Sequence, residues 1–151
     1  MTTTASTAAP LADARALGLA HYAARGVLEH VLARHGLTFQ QHIVMRAAVT
    51  AEAPPAADDL VAQVHDSLKA DAAGIRTSLD ALLAAGLLAA DGARLRATDA
   101  GRDRLAAVGA ESAPLSARVW GGIPNEDLAA AGRVLALVTE RADAELAALT
   151  G

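Results

Sequence analysis

The chain has 151 residues, of which 53% are hydrophobic, 20% charged and 2% aromatic, with a formal net charge of −4 and no cysteine. The lack of cysteine excludes disulfides, thiolate metal sites and a cysteine nucleophile, and the acidic balance does not by itself point to nucleic acid. No apolar run reaches the ~20 residues of a membrane span, so no membrane partner is expected.

Alanine supplies roughly a quarter of the residues. It is the strongest helix former, so the composition favours closely packed helices whose large core residues are Leu, Val and Ile. Residues 1–10 are rich in Thr, Ser and Ala and lack the basic and apolar regions of a secretory signal. They are expected to form a flexible tail, and a cytoplasmic location is expected. A first long helix is predicted from about Leu11 to His35, with Leu17, Val27, Leu28, Val31 and Leu32 at helical spacing and Gly36 as its stop. Thr38 is placed to cap a second helix carrying Phe39, Ile43, Val44 and Val49. Pro54-Pro55 makes the stretch 51–57 a connection.

Asp58 or Asp59 is expected to open a short helix running to about His65, with a turn over Asp66-Ser67-Leu68-Lys69 and another helix over about Asp71–Ala85, ended by Gly86. Two short helices across a tight turn form a helix-turn-helix, with Val61, Val64, Leu68, Ile75, Leu79 and Leu82 as the shared core. Leu87–Ala89 and Arg94–Ala97 then read as short strands around an Asp91-Gly92 turn. Thr98 should cap the next helix, which carries Leu105, Val108, Leu115 and Val119, with a kink at Pro114 and a break at Gly121-Gly122. A last helix from Pro124-Asn125 to about Leu149 carries Leu128, Leu135, Val138, Ala142 and Leu149 as a seam suited to another helix.

The predicted fold is therefore mainly α with a small β-hairpin wing: a winged helix-turn-helix flanked by long terminal helices. Residues 36–101 form the winged region, 98–121 a connecting helix, and 11–35 with 122–151 the dimerisation helices. The apolar faces of the terminal helices must bury against something, and a second copy of the chain is the simplest partner.

This order of elements resembles the multiple antibiotic resistance regulator (MarR) family of bacterial repressors, from about Leu11 to Leu149. The resemblance rests on four stretches. Gly36-Leu37-Thr38-Phe39-Gln40-Gln41-His42-Ile43-Val44 is similar to the family's second helix, and Leu82-Leu83-Ala84-Ala85-Gly86-Leu87-Leu88 to the end of its recognition helix and first wing strand. Arg94-Leu95-Arg96-Ala97-Thr98-Asp99-Ala100-Gly101-Arg102 is similar to its second wing strand and following helix, and Gly122-Ile123-Pro124-Asn125-Glu126-Asp127-Leu128 to the start of its last helix.

The resemblance implies a homodimeric transcription regulator, a repressor, that binds double-stranded DNA and is modulated by a small ligand held between the dimer helices and the winged region. It implies a recognition helix in the major groove and a wing at phosphate or minor groove. Lys69, Ala73, Arg76, Thr77, Arg94 and Arg96 are the candidate DNA-contacting residues. Arg76 and Thr77 would face base edges, since Arg is the commonest bidentate reader of guanine. Arg94 and Arg96 flank Leu95 and so share the opposite strand face, the outer wing. The wing tip itself, Ala89–Ala93, holds no basic residue.

Across residues 58–101 the bases Lys69, Arg76, Arg94 and Arg96 meet the acids Asp58, Asp59, Asp66, Asp71, Asp80, Asp91 and Asp99. Four against seven leaves −3. DNA binding would then rest on a few phosphate contacts per subunit and depend strongly on salt, with Arg102 and Arg104 as additions to the footprint. The same deficit supports an alternative: a degenerate winged-helix dimer that binds a small ligand or partner protein without sequence-specific DNA binding.

His21, His30, His35 and His42 fall on the first two helices, and no pair has the i, i+4 spacing of a helical zinc site, so no metal is expected. His42 and Arg46 are four apart and share a face. With Trp120, and with His30 as a further candidate, they would line a pocket for a small aromatic or anionic ligand, whose carboxylate the arginine would pair. No glycine-rich phosphate loop, nucleophile elbow or metal triad is present. The sequence therefore reads as a non-enzyme that needs no cofactor. Asp58-Asp59 reads as a helix N-terminus, where acids complement the dipole.

Overall fold

Helix ends in this chain are set by side chains that satisfy the backbone groups a helix leaves unpaired. The computed structural model describes residues 9–151, so positions 1–8 of the expected tail lie outside the described residues. Asp13 adopts an extended backbone and its carboxylate accepts from Ala16 N at 2.8 Å, so helix α1 spans Ala14–Arg34 rather than starting at Leu11. It ends in a Schellman motif. Gly36 sits at φ +67°, Gly36 N donates to Ala33 O, and Leu37 N donates to Leu32 O.

Helix α2 (Phe39–Thr50) opens on a complete capping box: Gln41 N donates to the Thr38 hydroxyl and Thr38 N to the Gln41 side chain. Helix α3 spans Ala57–Leu68, a turn longer than expected. The predicted turn residues Asp66, Ser67 and Leu68 remain helical. Ser67 satisfies its hydroxyl on Gln63 O, and the chain reverses only at Lys69, whose φ is +52°. Helix α4 (Ala72–Ala84) is capped by Asp71, whose side chain accepts from Gly74 N at 3.0 Å. It ends as α1 does, with Gly86 at φ +72° and Leu87 N donating to Leu82 O.

That second Schellman motif consumes Leu87, so strand β1 is Leu88–Asp91, one residue on from the expected position. Strand β2 is Arg94–Ala97, antiparallel to β1, with Leu88 opposite Ala97 and Asp91 opposite Arg94. The hairpin loop is therefore Gly92-Ala93 rather than Asp91-Gly92. Positive φ occurs only at Gly92, the pattern of a type II′ loop. The connection before α3 lies along the outer edge of β2: Leu95 N donates to Pro55 O at 2.8 Å, and Ala56 bridges Arg94.

Thr98 caps helix α5 (Asp99–Trp120) by accepting from Gly101 N at 3.0 Å, and the helix runs through Pro114. Gly122, at φ +80°, follows α5, and helix α6 covers Asn125–Thr150. The chain divides into two compact units, one up to Pro114 and one from Leu115 onward.

In the first unit, the core gathers Val31 and Leu32 of α1, Val44 and Met45 of α2, Leu60, Val61 and Val64 of α3, Ile75, Leu79 and Leu82 of α4, Leu88 and Leu95 of the wing, and Val108 of α5. Helix α2 packs on both α3 and α4. Only Val31 and Leu32 of α1 are buried, while Leu17, Leu19, Tyr22 and Val27 remain exposed. In the second unit, α6 buries none of its residues, and Val134, Leu135, Leu137, Val138 and Leu146 are exposed. No helix among the described residues is long and apolar enough to cross a membrane.

Candidate nucleic-acid interface

The turn between α3 and α4 is held by side chains of its own residues. His65, at the end of α3, donates its Nδ1 hydrogen to Ala70 O at 2.6 Å. Lys69 N closes on His65 O, and the Lys69 ammonium donates to Asp66 O. Asp71 then starts α4. The inward face of α4 carries Ile75, Ser78, Leu79 and Leu82. Ser78 is the buried polar member, and its hydroxyl donates to Gln40 Oε1 of α2 at 2.7 Å.

With that face fixed, the 3.6-residue period sends Ala73, Arg76, Thr77 and Asp80 outward as one exposed stripe. Its chemistry is narrow. Thr77 donates its hydroxyl hydrogen to Ala73 O, which leaves a methyl group and oxygen lone pairs facing out. Arg76 is the stripe's one cation, and its Nη2 donates to Asp58 Oδ1 at 2.8 Å. The sequence marks Asp58 only as an acid of the helix N-terminus. Its pairing lies 18 residues away on another helix, and no local pattern signals it.

The wing behaves as its alternation requires. Leu95 and Ala97 are buried, and Arg94 and Arg96 are exposed on the opposite face. The two arginines differ in their partners. Arg94 donates through Nη1 to Pro54 O at 2.8 Å, which draws it toward the connection before α3. The Arg96 side chain has no hydrogen bond or ion pair among the described residues. Arg102 donates to Ala97 O at the base of the wing, and Arg104 to His35 O.

Within the first unit, the candidate ligand residues His42, Arg46 and His30 differ in their surroundings. His42 is buried, and among the described residues its Nδ1 has no hydrogen-bond partner. Burial first, and then the neighbouring Arg46 charge, push its pKa below 6.5. Arg46 is exposed and lines a groove of 410 Å³ between α2 and α3, with Phe39, Ile43, Thr50, Val64 and Leu68 among its walls. His42 is not part of that lining. Phe39 is in turn covered by Arg25 of α1, whose guanidinium carbon lies 4.3 Å from the ring centre. His30 is exposed on α1, and Trp120 ends α5 in the second unit, 55% exposed. His35 bonds Glu111 Oε2 at 2.8 Å, and Arg34 holds the same carboxylate. Among the described residues no three His, Asp or Glu side chains gather to hold a metal.

No protein-family model matches the sequence, and no curated protein matches it. Solved structures do match by shape. MarR of Staphylococcus aureus, solved with salicylate and kanamycin, aligns with a TM-score of 0.71 at 15% identity, over 83% of this chain and 87% of that one. A MarR family protein of Mycobacterium tuberculosis, in complex with p-aminosalicylic acid, aligns with a TM-score of 0.65 at 20% identity, over 86% and 98%. CouR of Rhodococcus jostii, bound to p-coumaroyl-CoA, aligns with a TM-score of 0.68 at 19% identity, over 82% and 88%. The winged helix-turn-helix expected from the sequence, and its likeness to the MarR regulators, are borne out at the level of the fold.

Proposed function

We propose that this chain, which has the fold of the MarR regulators, is itself a DNA-binding transcription regulator, a repressor, acting in the cytoplasm as a homodimer. It acts by binding rather than by catalysis. The observation that carries this reading is the outward stripe of α4, with Ala73, Arg76 and Thr77 exposed beside a wing that presents Arg96. In a helix-turn-helix, that stripe enters the major groove while the wing meets phosphate. Lys69 and Arg94 complete the proposed footprint. The exposed apolar residues of α1 and α6 support pairing with a second copy, which would bury them.

The ligand in this reading is a small aromatic carboxylate. Its support is the groove between α2 and α3, where apolar walls meet the Arg46 guanidinium, a natural carboxylate partner. The neighbours solved with salicylate and p-aminosalicylic acid carry ligands of that class. Salicylate titrated calorimetrically into the protein should give a binding isotherm that Arg46→Ala weakens by about tenfold or more, as expected for loss of a charged hydrogen-bonding partner.

The alternative, a degenerate dimer that binds a ligand or protein without DNA, is favoured by the −3 charge of residues 58–101 and by the engagement of Arg76 with Asp58. Fluorescence anisotropy separates the two readings. It would use a DNA fragment from upstream of the chain's own gene and an unrelated fragment, across a range of salt. A regulator binds the upstream DNA more tightly. Two phosphate contacts per subunit give a dimer a log–log salt slope of about −3.6, and Arg96→Ala lowers its magnitude by about 1.8. Equal, weak binding to both fragments at low salt would make the alternative the better reading.

A further inference from the structure

The pair formed by Arg76 and Asp58 joins the middle of the outward stripe of α4 to the first turn of α3. We propose that Asp58 is a positioning residue for base reading: it holds the Arg76 guanidinium so that its unbonded edge faces a guanine. This rests on the DNA-binding reading above.

Three observations carry the inference. The contact is single, from Nη2 to Oδ1 at 2.8 Å. A guanidinium has five N–H donors in a rigid fork, so one bond to Asp58 leaves enough for the two-point contact with guanine O6 and N7. Both partners are also exposed, Arg76 at 52% and Asp58 at 81%, so the pair is not a buried brace on which the fold depends. Finally, Asp58 sits beside Asp59, which has the same charge in the same helical turn and whose side chain has no hydrogen bond or ion pair among the described residues.

A long, flexible arginine beside a DNA duplex is drawn to the nearest phosphate, where it adds affinity without sequence information. Tying one edge to a carboxylate cancels its net pull on phosphate and restricts its swing. What remains is a directional donor pair. On this account the acid at the interface lowers non-specific affinity and raises discrimination at one base pair.

The wild-type protein is used to enrich a random duplex library. Affinities for the enriched duplex, and for versions substituted one base pair at a time, are then measured for wild type, Arg76→Ala, Asp58→Asn and Asp59→Asn. Arg76→Ala identifies the base pair it reads. Asp58→Asn should lose about three- to five-fold of discrimination at that same pair, in keeping with an exposed ion pair that strengthens once DNA excludes water, while Asp59→Asn keeps it. Both substitutions remove one negative charge from the same turn, so an effect of charge or helix dipole alone would appear equally in each. Equal behaviour of Asp58→Asn and Asp59→Asn overturns the inference and leaves the regulator reading standing. So does uniform tightening of Asp58→Asn on every duplex, which would make Asp58 a competitor for Arg76 instead. If the wild type enriches no sequence, the regulator reading fails and this inference falls with it.

Discussion

Gly101 lies where α5 meets the end of α4, and the fold allows it no side chain. Thr98 N donates to Leu87 O, the Thr98 hydroxyl donates to Gly86 O at 2.7 Å with Leu87 O as a second acceptor at 3.0 Å, and the same hydroxyl accepts from Gly101 N. This lattice sets the first turn of α5 directly on the Leu87 carbonyl. A Cβ added at Gly101 would overlap Leu87 O and lie 3.0 Å from the carbonyl carbon. The obstacle is backbone, fixed in turn by the Schellman bond from Leu87 N to Leu82 O, so it cannot rotate aside. Overpacking of this kind costs about 1–3 kcal/mol, and the rigid obstacle argues for the upper end. The gain in helix propensity from Gly to Ala offsets about 1 kcal/mol. A net loss of about 2 kcal/mol lowers Tm by roughly 4–8 °C in a chain of this size. Gly109, in the same helix, has nothing within 4 Å of its would-be Cβ. Gly109→Ala should therefore stabilise, by about 0.5–1 kcal/mol. Thermal unfolding followed by circular dichroism, at one protein concentration because an oligomer's Tm depends on it, gives both values. A Gly101→Ala protein as stable as wild type would refute the close approach of α5 to the Leu87 carbonyl.

His42 offers a pH-dependent counterpart. Its pKa is held below 6.5 in the folded chain, mainly by burial and further by Arg46, so the unfolded chain takes up the proton first. The associated stability is present in full above the unfolded value and is lost as pH falls below 6.5 through the folded one. Denaturant titrations at about pH 7.5 and about pH 5.5 should show a loss on acidification that is smaller in His42→Leu. Thr38→Ala removes one half of the α2 capping box and should cost about 1 kcal/mol, whereas Thr38→Ser keeps the hydroxyl and should recover most of it. Lys69→Gly relieves a left-handed backbone worth about 1 kcal/mol but adds a similar entropy to the unfolded chain. Its Tm should stay within about 2 °C of wild type while, on the proposed DNA-binding reading, its DNA affinity falls.

The boundaries legible in the sequence are those set by chemistry acting over three or four residues. Gly36 and Gly86 stop α1 and α4 because only glycine takes positive φ freely, and Thr38 and Thr98 start α2 and α5 because a hydroxyl reaches the N–H group three residues on. The misplacements have the same origin. The Asp66-Ser67 pair reads as a turn because both residues compete with the backbone outside helices, yet Ser67 bonds back to Gln63 O and stays helical. The hairpin slid by one residue because Leu87 closes α4 before it can enter a strand, and periodicity carries no sign of that prior claim. The apolar spacing of α1 was visible, but not that only Val31 and Leu32 are covered within the chain.

The site was less legible than the fold, and the net charge of its residues shows why. A sum of −3 over residues 58–101 treats every cation as equally available to phosphate. In the folded chain Arg76 already faces a carboxylate, while Arg94 and Lys69 each donate to a backbone carbonyl. A carbonyl orients a cation without cancelling its charge; a carboxylate does both. The four basic residues therefore fall into distinct roles that their sequence positions do not separate. Arg76 is ion-paired, Arg94 donates to a carbonyl, the Lys69 ammonium donates to Asp66 O, and the Arg96 side chain is without a hydrogen bond or ion pair among the described residues. On the proposed DNA-binding reading, an interface built this way draws little affinity from its electrostatic sum. On that same reading its selectivity rests on how few groups face the groove and how firmly each is held, and the Arg76–Asp58 pairing between helices is one that a single sequence does not display.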